Sequence, residues 1–158
     1  MFHRRAVTIA ETLYGPAHIE VARHLSNLAS TQVLQNRYAE ALPLLDRARA
    51  ILLEASPGDP ELLGYVQLNR ADSMRGLGDL NGAEATLASV IEQQPGGSFL
   101  ALEAQLGTAF VMLSRGNESE GERLYRTTLQ ALESLLGLNN PYVPFAKEEY
   151  ERVRALPR

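Results

Sequence analysis

The chain has 158 residues, one domain's worth, and 15 Lys and Arg against 19 Asp and Glu leave a formal charge of −4. The absence of Cys excludes a disulfide framework, a zinc–thiolate site and a cysteine nucleophile, while Leu and Ala, 46 residues together, favour helices. Apolar runs such as Phe110 to Leu113 fall far short of the roughly 20 residues of a membrane span, and the interleaved charge offers no phosphate-binding stripe, so neither membrane nor nucleic acid is expected as a partner.

In chain order, apolar periodicity and turn residues predict helices near 2–14, 18–34, 38–55, 60–77, 80–93, 98–115, 118–136 and 141–156, and no strand. The first carries Thr8, Glu11 and Thr12 where a secretory signal needs apolar residues, so it reads as a helix and the chain as cytoplasmic. Asn36-Arg37, Gly78-Asp79 and Gly116-Asn117 form tight turns inside helix pairs. Longer breaks lie at Ser56–Pro60, Gln94–Ser98 and Leu138–Pro141, where Asp59-Pro60, Ser98 and Asn140-Pro141 can open the next helix.

These elements repeat. Small residues recur at two places in each helix pair: Ala29 and Ala41, then Ala71 and Ala83 after 42 residues, then Ala109 and Gly121 after 38 more. Two helices that cross closely need a short side chain at the contact. The division expected is a half-unit over 1–17, units over 18–60, 61–98 and 99–140, and a capping helix over 141–158, all within a single domain, 1–158.

Tyr14-Gly15-Pro16 with His18, then Leu25 to Ala29 and Tyr38 to Ala48, carry a resemblance to the tetratricopeptide repeat, in its kinesin light chain-like variety by the 42-residue spacing. Arg70, where a large apolar residue is usual, and Gly121 for Ala depart from that pattern. The resemblance implies an all-α, right-handed superhelical solenoid of about eight helices, and a non-enzymatic scaffold that binds a protein or peptide partner in its concave groove.

No catalytic or metal site emerges, and no cofactor is expected. His3, His18 and His24 lack metal-ligand spacing, and His18 reads as a helix cap. Glu118, Glu120 and Glu122 read as a solvated first turn, and Glu148 stands at i,i+4 spacing from Arg152. Setting Ala29, Ala71 and Ala109 toward their partner helices turns Arg23, Asn27 and Ser30, then Tyr65, Asn69 and Asp72, then Glu103 and Phe110 to the groove. Asn27 and Asn69 occupy equivalent places 42 apart, where an amide can clasp a partner's main chain. Glu103 would repel a carboxylate, which argues against a clamp for a chaperone tail. A second expectation is a structural self-assembly unit that oligomerises through its terminal half repeats, including a homodimer through the N-terminal helix: Phe2, Val7, Ile9 and Leu13 at one end and Tyr142, Val143, Phe145, Tyr150 and Val153 at the other need cover, and charged Glu148, Glu149, Glu151 and Arg152 make the C-terminal helix the better cap.

Overall fold

The computed structural model describes residues 2–55 and 58–155, without the side chain of Phe2; Ser56 and Pro57 of the predicted break and Leu156 of the last predicted helix lie outside this set. The described residues form eight α-helices and no strand: α1 (Phe2–Tyr14), α2 (Ile19–Leu34), α3 (Tyr38–Glu54), α4 (Pro60–Gly76), α5 (Leu80–Gln93), α6 (Phe99–Ser114), α7 (Glu118–Leu136) and α8 (Tyr142–Arg154). They group into two compact units, Met1–Asp79 and Leu80–Arg158.

The connectors at Asn36, Gly78 and Gly116 share one geometry. Each of these residues has a positive φ, of 58°, 87° and 84°. The next amide then donates to the carbonyl five residues back: Arg37 to Gln32, Asp79 to Met74 and Asn117 to Met112. This closure satisfies carbonyls that a helix end leaves open, and Gly or Asn reaches that backbone region at least cost.

In the first unit α2 packs against α1, α3 and α4, and α3 against α4. Arg4 pairs with Glu40 and Glu11 with Arg47, so α1 and α3 run side by side in the same direction. The small positions Ala29, Ala41 and Ala48 are fully buried, surrounded by Val21, Leu25, Leu45 and Val66. Arg70, which breaks the usual apolar pattern, is accommodated by an ion pair to Asp46 at 2.6 Å. Val7 is only 8 % exposed and belongs to this core, so it does not need cover from another molecule as expected. Ile9 and Leu13 on the other side of α1 remain exposed.

In the second unit α6 packs on α5, α7 and α8. Its core gathers Leu102, Leu106 and Leu113 of α6 with Tyr125 and Leu132 of α7 and Tyr150 and Val153 of α8. The Tyr125 and Tyr150 rings stack at 3.9 Å. Glu122 is more than part of a solvated turn: it pairs with Arg126 at 3.2 Å and Arg154 at 3.6 Å, and accepts a hydrogen bond from Tyr150. Arg152 bonds Glu149, three residues back, through both Nε and Nη2.

Candidate functional site: the first-helix faces

Two caps fix the first helices of the first unit. The His18 Nδ1 accepts from the Glu20 amide at 3.2 Å, and its ring stacks on Tyr14 at 4.9 Å, which opens α2. The Asp59 Oδ1 accepts from the Leu62 amide at 2.9 Å, with Pro60 in the first turn, which opens α4. The other carboxylate oxygen of Asp59 takes the Arg23 guanidinium at 3.2 Å. One side chain therefore starts α4 and ties that start to the first turns of α2, so the two helices lie alongside each other.

This tie changes the reading of Arg23. Its guanidinium also reaches Glu20 at 3.5 Å, so it ties the scaffold together while its side chain stays 44 % exposed. Asn27, one turn further along α2, is exposed, and Ser30 is half-buried. On α4, Tyr65 is 36 % exposed and Asn69 half-buried. Asn69 Nδ2 donates to the Tyr65 carbonyl at 3.0 Å. Asp72 pairs with Arg75 at 3.5 Å. Within this unit, α2 and α4 thus present Asn27, Ser30, Tyr65 and Asn69 on neighbouring helices.

In the second unit α6 carries Glu103, half-buried, and Phe110. Phe110 is a correction: at 5 % exposure it sits in the core, its ring 6.3 Å from that of Tyr125. Helix side chains lean toward the N-terminus, so a large ring beside Ala109 swings in over the partner helix. Sequence periodicity missed the tie from Asp59 to Arg23, which depends on how α2 and α4 pack. Among the described residues no cluster of three or more His, Cys, Asp or Glu side chains is placed to hold a metal ion. Among the described residues no helix is long and apolar enough to cross a membrane.

Residues 1–54 match the family model of the tetratricopeptide repeat. The same hairpin closure and buried small residues recur in the helices beyond the match. Over residues 1–54 the chain is a tetratricopeptide repeat segment. No curated protein matches it. Tetratricopeptide repeats mediate protein–protein interactions, and members of the family are typically scaffolds without catalysis.

Proposed function

We propose that this chain is a non-enzymatic, cytoplasmic tetratricopeptide repeat scaffold that binds an extended segment of a partner protein on the first-helix faces of its hairpins. The 42-residue spacing supports a kinesin light chain-like variety of repeat. One observation carries the binding reading: Asn27 and Asn69 stand at equivalent places on neighbouring helices, Asn27 exposed and Asn69 half-exposed with its Nδ2 bonded to the Tyr65 carbonyl. Together they offer donors and acceptors to a partner main chain without specifying its side chains.

The test starts from peptides selected on the purified protein from a random library. Asn27→Ala with Asn69→Ala should weaken the selected peptides about tenfold or more, while stability changes by no more than about 1 kcal/mol. Unchanged affinity would move the interaction off this face.

A second reading rests on a separate observation. Ile9 is 49 % and Leu13 68 % exposed, on the side of α1 turned away from its own core. Two copies pairing through that stripe would make the chain a self-assembly unit.

A further inference from the structure

Helices α1 and α3 both rest on α2, yet their backbones do not touch each other. The space between them is an open slot of about 410 Å³. That volume lies within the range of small-molecule sites, roughly 300–1,000 Å³. Its floor is Leu25, Leu28 and Gln32 of α2, and its apolar walls are Val7 of α1 and Leu44 of α3. An ion pair closes each end: Glu11 with Arg47 at 2.6 Å and Arg4 with Glu40 at 3.6 Å. Seven residues separate the two pairs along each helix, about 10 Å at 1.5 Å per residue.

The two ends differ in how firmly their charges are held. Arg47 is fixed by Glu11 and by the Pro16 carbonyl at 3.3 Å. Glu40 is gripped at both oxygens by Arg37, at 2.7 and 2.5 Å, and that guanidinium holds its carboxyl below the usual range. Arg4, at 3.6 Å and with a side chain 70 % exposed, is the most loosely held of these arginines. The slot's own lining balances Arg4 and Arg47 against Glu11 and Glu40, and Arg37, outside it, neutralises Glu40 a second time.

A cationic ligand would have to displace Arg37 or Arg47 from a short contact. An anion needs only a turn of the Arg4 side chain, and the half-buried Leu28 and Leu44 beside it supply apolar surface. We propose that this slot binds a small aliphatic carboxylate, its chain over Leu28 and Leu44 and its carboxylate on the Arg4 guanidinium. A guanidinium and a carboxylate form a charge-assisted pair, and the methylene chain leaves water for the slot.

Octanoate and octan-1-ol, titrated into methyl-labelled protein and followed by NMR, test this. Octanoate should saturate, with shifts gathered on the methyls of Val7, Leu25, Leu28 and Leu44. It should bind at least about tenfold tighter than octan-1-ol, and that preference should vanish in Arg4→Gln, an exposed substitution that leaves the fold intact. Equal affinity for the two probes in the wild type, a preference that survives Arg4→Gln, or shifts centred on Ile9 and Leu13 would overturn the proposal. Asn27→Ala with Asn69→Ala should leave octanoate affinity unchanged, so the slot and the peptide-binding face stand or fall separately.

Discussion

Gly121 shows how one missing methyl sets a helix contact. A Cβ there would lie 2.9 Å from Leu113 Cγ and 3.2 Å from the Ala109 carbonyl oxygen. In an ordinary helix Gly→Ala gains about 0.5–1 kcal/mol, whereas overpacking a tight contact costs about 1–3 kcal/mol. Gly121→Ala should therefore lower the stability measured by urea denaturation, by about 1–2 kcal/mol. In a Leu113→Ala background the same change should be neutral or stabilising, and a gain in the wild-type background would refute the close approach. Tyr125 gives a second readout at this scale. Burial, with smaller contributions from Tyr150, Glu151 and Glu133, raises its phenol from 10 to about 12. The native state thus binds that proton more tightly than the unfolded chain. Its stabilisation is complete below pH 10 and is lost as pH rises toward 12. Tyr125→Phe should flatten the fall in melting temperature over that interval, and an unchanged slope would argue that other groups govern it.

At the scale of the element, α4 depends on Asp59 twice: as the cap on the Leu62 amide and as the partner of Arg23. Asp59→Ala removes both and should cost about 1–2 kcal/mol, while Asp59→Asn keeps the cap and should cost about 0–1 kcal/mol, the worth of a largely exposed ion pair. Equal losses in the two variants would assign the effect to the charge. The caps themselves are legible in sequence because they are local: Asp59-Pro60, Ser98 and His18 act within three residues, as do the turns at Asn36, Gly78 and Gly116. The buried small residues are legible too, since their repetition reflects the contact they permit. What periodicity misses is set by neighbours. The Val7 stripe has two possible sides until α2 is placed, and Phe110 lies at the border of two faces where ring size decides. Arg23 looks like an open groove cation until the start of α4 arrives beside it. The slot is invisible from sequence because it is a distance between α1 and α3, which no residue pattern encodes.

At the scale of the whole molecule, the open question is whether α1 finds a partner in a second copy. Its outward stripe holds Ile9 and Leu13, and burying one large apolar side chain is worth about 1.5–3 kcal/mol. Two such residues from each of two copies bring at most about 6–12 kcal/mol, against an association cost of about 4–15 kcal/mol, so a dimer on this stripe would be no tighter than about micromolar. Light scattering across a hundredfold dilution should then show the mass falling from double toward the 17.4 kDa of one chain. Ile9→Glu should hold it at one chain throughout, because a carboxylate in that contact loses its water without gaining a partner. Val7→Glu cannot serve as the probe: Val7 is buried in its own core, and a charge there would unfold the N-terminal end whether or not copies pair. A wild-type mass that stays at one chain at the highest concentration removes the self-assembly reading and leaves the first-helix faces as the surface for a different protein.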